Sequence, residues 1–313
     1  MGEFKRNFHR FRKLKENILF KLSHKYLQHS APLYAIEFSE KLNLLFTGGG
    51  DKVVATWDIE KQENTPFSIK TNSAILNLKI INDQHLFIGL FNGNFHIIDI
   101  DSREEIKFFP YHKFGVFSST LVKEHNLLFV GSGDGTISIW DANEYKLIQN
   151  YKISEGKIRA IQQVNDAVYI GTSEGDLIKI ECSDLSIAKK INKHSSSIYC
   201  LTKHKENNAL LFGDKDAHLS VYDLVKNKIT ISLPAHNWPI YGLEWIGNDF
   251  FATCSRDKII KIWDAQKLEV IQRLSFPDHK GHLNSINNLK YCAQSKKLIS
   301  IGDDKQICVW EMQ

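Results

Sequence analysis

The chain has 313 residues, of which 42% are hydrophobic, 24% charged and 11% aromatic, enough apolar material for a sizeable core. No run approaches the roughly 18 apolar residues of a membrane-spanning helix, and the basic opening lacks the apolar stretch of a secretory signal. The net charge of +4 is local: residues 1–17 hold six basic and two acidic side chains, so the remaining 296 carry 34 of each sign. That neutral body argues against a duplex-binding domain, which neutralises phosphate with a basic excess.

Residues 1–17 interleave Phe4, Phe8 and Phe11 with their charges. They are expected to form a basic extension, partly ordered or disordered, separate from a single domain over 18–313. The competing reading is an amphipathic attachment to a membrane surface or nucleic acid. The Met-Gly start does not fit myristoylation, because Arg6 stands where Ser or Thr is wanted. Ile18–Leu27 then has the apolar composition of a strand. The five cysteines are scattered and form no Cys-x-x-Cys pair. A reducing compartment, the cytoplasm, is therefore expected, with neither disulfides nor a zinc finger.

From Leu45 onward the chain repeats. LFTGGGDKVVATWD from Leu45 aligns without gaps with LFIGLFNGNFHIID from Leu86, LFVGSGDGTISIWD from Leu128 and VYIGTSEGDLIKIE from Val168. LLFGDKDAHLSVYD from Leu210, FATCSRDKIIKIWD from Phe251 and LISIGDDKQICVWE from Leu298 complete the set, at spacings of 41, 42, 40, 42, 41 and 47 residues. Each block reads as a hairpin: an apolar run, a tight polar turn and an alternating run. A further alternating segment precedes each hairpin, such as Ile198–Leu201, and another follows it, such as Leu147–Tyr151. Four antiparallel strands repeated seven times predict an all-β, seven-bladed propeller.

The blocks resemble the WD-repeat (WD40) family. The closing dipeptide stands at Trp57-Asp58, Trp140-Asp141 and Trp263-Asp264, and is weakened to Trp310-Glu311, Tyr222-Asp223, Ile98-Asp99 and Ile180-Glu181. Upstream, Gly281-His282 is intact, while His29, His112, His194 and His236 keep only the histidine. The resemblance implies a brace in which imidazole bridges a turn carboxylate and a strand hydroxyl that also accepts from the indole N–H. Aligned residues complete it in three blades: His29/Thr47/Asp51/Trp57, His236/Thr253/Asp257/Trp263 and His282/Ser300/Asp304/Trp310. Blade three has Val130 at the hydroxyl position beside His112, Asp134 and Trp140; blade five has Phe212 with His194, Asp216 and Tyr222. Blades two and four replace the set with Ile88 and Ile98, and with Ile170 and Ile180.

Recurrence in phase assigns the histidines to structure, since a catalytic triad would occur once. His279 and His282 form the one local cluster with metal-like spacing, but the brace claims His282; no metal or cofactor is expected. The glycine-rich turns join strands and lack the Lys-Ser/Thr and helix of a phosphate loop. What remains is surface. The resemblance implies binding of a protein or peptide segment at the channel mouth on the histidine side. Alignment carries two sets of positions there: Tyr34, Leu76, Phe117, Arg159, Tyr199, Tyr241 and Asn287 on the inner strands, and Gly50, Phe91, Gly133, Ser173, Lys215, Arg256 and Asp303 before the turn acid. Trp238 adds an aromatic, and Arg159, Lys215 and Arg256 favour an acidic partner. A monomeric, non-catalytic scaffold is the expectation, with a propeller enzyme or small-molecule binder as the competing class. Only Met312 and Gln313 follow Trp310-Glu311, so part of Ile18–Leu27 is expected to supply the last blade's fourth strand.

Overall fold

Alternation in the repeats places one face of every strand against the next blade. In the computed structural model, which describes residues 20–205, 208–247 and 249–313, the strands form seven four-stranded antiparallel sheets. Six blades follow chain order, beginning with Leu33–Ser39, Leu44–Gly49, Val53–Asp58 and Glu63–Lys70 in blade one. The core lies between blades. One cluster joins Ile299, Ile301, Ile307 and Val309 of blade seven to Leu33, Leu45 and Trp57 of blade one, all buried. In five blades a glycine in the second strand permits this approach. A Cβ on Gly131 or Gly171 would lie 2.5 Å from the isoleucine that opens the next blade.

Blade seven is completed by the N-terminal strand, as its composition predicts. Phe20–Tyr26 pairs antiparallel with Ile307–Met312, from Phe20↔Met312 to Tyr26↔Ile307. Its ends reach both neighbours. The Phe20 backbone exchanges two hydrogen bonds with the Gln272 side chain of blade six (2.9 and 3.0 Å), and the Tyr26 ring lies 4.7 Å from Trp57 of blade one. The strand thus ties three blades together. The extension expected over 1–17 lies outside the described residues.

A second tie crosses the same seam on the innermost strands. Glu37 of blade one is buried, 2.7 Å from Lys290 of blade seven and 3.3 Å from Lys79 of blade two. Burial opposes its ionisation, but the two ammonium groups outweigh burial and draw the carboxyl down to about 2. Glu244 of blade six accepts from the Tyr291 amide at 3.2 Å, and there burial wins, raising its carboxyl.

The aligned braces of blades one, six and seven have their bonds. His29 lies 2.6 Å from Asp51 and 2.9 Å from Thr47, whose hydroxyl accepts from Trp57 Nε1 at 2.7 Å. His236 is 2.8 Å from both Asp257 and Thr253, and Trp263 donates to Thr253. His282, Asp304, Ser300 and Trp310 repeat the pattern within 2.9 Å. Two blades differ from the alignment. In blade three the hydroxyl is present but comes from the neighbouring strand: Ser138, paired across from Val130, lies 2.9 Å from His112 Nε2 and accepts from Trp140 Nε1 at 2.8 Å. Register explains the substitution, since paired residues in adjacent strands present side chains to the same face. In blade five His194 bonds Asp214 at 2.7 Å, whereas Asp216 is exposed and the buried Tyr222 hydroxyl has no hydrogen-bond partner among the described residues. The isoleucines of blades two and four are buried, an apolar replacement that leaves no polar group stranded.

Burial of Phe20 and Tyr26 contributes about 2 kcal/mol each, so deleting residues 1–27 is expected to lower the melting midpoint by about 10 °C or more or to prevent soluble expression. Deleting only 1–15 should leave the midpoint unchanged. Ser138→Ala leaves the buried Trp140 N–H and His112 ring nitrogen without their partner and is expected to cost about 2 kcal/mol in denaturant titrations, with partial recovery on adding Val130→Thr. Glu37→Gln is expected to cost about 3 kcal/mol at pH 7. Because its folded carboxyl sits below the unfolded value, Glu37 stabilises above about pH 4.5 and that contribution fades towards pH 2. The gap between wild type and Glu37→Gln should therefore close as titration proceeds through that window.

Candidate functional site

The innermost strand of every blade opens with the same irregularity. Register slips between Leu33 and Ala35, Ile75 and Asn77, and Val116 and Ser118. It slips likewise between Ile158 and Ala160, Ile198 and Cys200, Ile240 and Gly242, and Ile286 and Asn288. The residue left unpaired each time is the first-set residue of the mouth, from Tyr34 through Asn287. A bulge re-aims the side chain of its extra residue. Here all seven side chains converge on one cavity of about 580 Å³.

A second repeated bond holds the outer set. The amides of Gly50, Phe91, Gly133 and Ser173 donate to the carbonyls of Pro32, Ala74, Gly115 and Lys157, at 2.7–2.8 Å. Those of Lys215, Arg256 and Asp303 donate to Ser197, Pro239 and Ser285, at 2.9–3.1 Å. Each acceptor directly precedes an innermost strand, so backbone alone pins the outer residue beside the inner one. The bond itself involves no side chain at either position.

The inner side chains interlock. The Arg159 guanidinium lies 5.4 Å from the Phe117 ring centre and 4.3 Å from that of Tyr199, which stacks on Tyr241 at 5.5 Å. Asn287 donates to Asp303 and to the Leu33 carbonyl, both at 2.8 Å, bridging blade seven to blade one. Burial raises the Tyr241 hydroxyl above its ordinary value, and neighbouring Tyr199 and Asp303 add to this. Of the outer set only Asp303 lines the cavity; Phe91, Lys215 and Arg256 stand exposed around it, with Arg256 stacked 4.7 Å over Trp238. Alignment of blocks overlooked Phe114, exposed two residues after His112 just as Trp238 follows His236, and Lys157, 5.4 Å over Phe117. For Phe114 the repeated offset from the histidine was the available signal; blade four has no such histidine to mark Lys157.

His279, the other half of the metal-like cluster, lies in a single helical turn over Phe276–His279. Among the described residues no group of three or more His, Cys, Asp or Glu side chains is placed to hold a metal ion, and no helix is long and apolar enough to cross a membrane.

Comparison with known proteins agrees with this architecture. Among relatives, the F-box-like/WD repeat-containing protein TBL1X of Mus musculus is 25% identical over 58% of this chain and 36% of its own length. Protein tipD of Dictyostelium discoideum is 23% identical over 90% of this chain and 47% of its own length. WD repeat-containing protein 55 of Rattus norvegicus is 22% identical over 78% and 65%. The chain thus spans about a third to a half of the first two. WD-repeat relatives support an interaction scaffold in general. Residues 82–311 match the β-propeller family model described as Nucleolar protein 10-like, N-terminal domain, residues 20–58 match the WD domain, G-beta repeat, and the chain belongs to the WD-repeat β-propeller family.

Proposed function

We propose that the chain is a non-catalytic interaction scaffold that holds a peptide or protein segment across the channel mouth. The observation that carries this reading is the double ring: seven bulged residues and seven backbone-pinned neighbours, fixed in place and variable in chemistry. Tyrosine, phenylalanine, tryptophan and arginine dominate the energetics of protein interfaces, and they are concentrated on blades three to six of this ring. Asp303 is the single carboxylate among the fourteen aligned positions and is engaged by Asn287, which favours recognition over acid–base chemistry. The ring is closed by the chain's own strand, which supports a monomer. Five free cysteines support a reducing compartment; a fluorescent tag distinguishes the cytoplasm from the nucleolus that the matched model's name suggests.

The test is affinity purification with wild type, Tyr199→Ala and Arg256→Glu. Loss of an interface hot spot costs about 2 kcal/mol or more, about thirtyfold in affinity. Each variant is expected to lose the same partner while its melting midpoint stays within about 2 °C of wild type, since neither side chain belongs to an interblade core. A strong fall in midpoint with unchanged capture would overturn the reading.

A further inference from the structure

The mouth is chemically divided around its circumference. On blades two and three its rim carries two large rings, Phe91 and Phe114, 61% and 64% exposed, with Lys113 beside the second. Two glycines let these rings share a surface with the inner set. A Cβ on Gly115 would fall 2.8 Å from Leu76, 3.2 Å from the Phe91 carbonyl and 3.4 Å from Phe117. One on Gly133 would fall 2.8 Å from Phe117 and 3.3 Å from Phe114. On blades four to six the mouth presents Lys157, Arg159, Lys215 and Arg256. The acidic groups of that face include Glu155, Glu174 and Asp216, all exposed, the first 3.5 Å from Lys152, and Asp303, already bonded to Asn287.

Arg159 decides the sign of what enters. Phe117 and Tyr199 flank the guanidinium, so the aromatic surroundings that would attract a partner's cation already hold the chain's own. Its Nε is buried, without a hydrogen-bond partner among the described residues. Contact with the rings limits the tilt of the planar fork, and a held fork matches the two oxygens of a carboxylate. Arg256, lying over Trp238, repeats this arrangement two blades away.

We propose that the mouth recognises an acidic peptide segment with a large apolar residue close to its carboxylate. The carboxylate sits on Arg159, with Arg256 and Lys215 on its flank, and the apolar side chain covers Leu76, Phe91 and Phe114. This rests on the mouth reading above and adds the class and orientation of the partner. Aromatic rings beside cations also suit single-stranded nucleic acid. The charge balance of residues 18–313 favours the peptide.

The test uses the full chain as bait for phage-displayed random dodecapeptides at physiological salt, followed by fluorescence anisotropy on the selected peptides. Selected sequences are expected to carry Asp or Glu within about four residues of Phe, Trp, Leu, Ile or Met, the span of an extended segment across the mouth. Arg159→Gln should weaken binding about tenfold or more, and replacing the peptide's acidic residue should then cost nothing further. Arg159→Lys, which keeps charge without the fork, should recover only part. Phe91→Ser with Phe114→Ser should show the same coupling to the apolar residue. Selected peptides that depend on Tyr199 but lack an acidic residue, or whose acidic residue is additive with Arg159, would overturn the proposal and leave the mouth reading standing. Peptides that bind equally to Tyr199→Ala and Arg256→Glu would overturn the mouth reading itself. An oligouridine probe that binds more tightly than any peptide and is lost with Arg159→Gln would replace the peptide with nucleic acid.

Discussion

A ring of sheets must close. Each blade here buries its apolar faces against its two neighbours, so an open ring would expose two faces at once and leave a strand edge unpaired. Closure depends on Phe20–Tyr26, which meets Ile307–Met312 across almost the whole length of the chain. That pairing joins residues far apart in sequence and costs loop-closure entropy, which the burial of Phe20 and Tyr26 and the ladder of hydrogen bonds offset. The seam is also where the polar ties collect. The braces aligned on His29, His236 and His282 lie in blades one, six and seven, and the Glu37–Lys290 pair crosses directly from one to the other. Directional bonds are concentrated where the two ends of the chain meet.

The variation among braces follows from the cost of burying polar groups. A buried hydroxyl, imidazole and indole stabilise when all are paired and destabilise when one is missing. Blades two and four discard the set and fill the space with isoleucine. Blade three keeps imidazole and indole, and supplies their common hydroxyl partner from Ser138 instead of residue 130. Blade five is intermediate: its imidazole finds Asp214, and Tyr222 stands in the Trp position with its hydroxyl buried. Three different solutions leave the backbone register of the blades the same.

The same register builds the mouth. Because every innermost strand bulges one residue after its first buried aliphatic, side-chain identity there is uncoupled from the packing of the blade. A tyrosine, an arginine or an asparagine can stand at equivalent places with no change in the frame that presents it. Loops carry function when a rigid scaffold positions them, and in this chain the scaffold reaches to the last backbone bond before the exposed side chain.

The blade count, the hairpins and the strand that closes the ring were all legible in the chain itself. Hairpins are local: alternation of period two, a tight turn and a fixed spacing determine them before any blade meets another. The three aligned braces and the fourteen mouth positions followed from the same phase. Tertiary structure decided what depends on register between strands and on distance between blades. Ser138 serves blade three only because it lies across from Val130, and a gapless alignment cannot show a hydroxyl moved to the neighbouring strand. His194 chooses Asp214 over the aligned Asp216 because the nearer carboxylate is buried beside it. Glu37, Lys79 and Lys290 stand at one place in the repeat, four residues after Leu33, Ile75 and Ile286, but their pairing exists only once ring closure sets blade one between blades seven and two. Arg159 reads in sequence as one more rim cation, and its setting between Phe117 and Tyr199 exists only once blades three, four and five stand side by side. Local hydrogen-bond geometry wrote the first group into the sequence, whereas contacts between blades arise from the curvature of the closed ring.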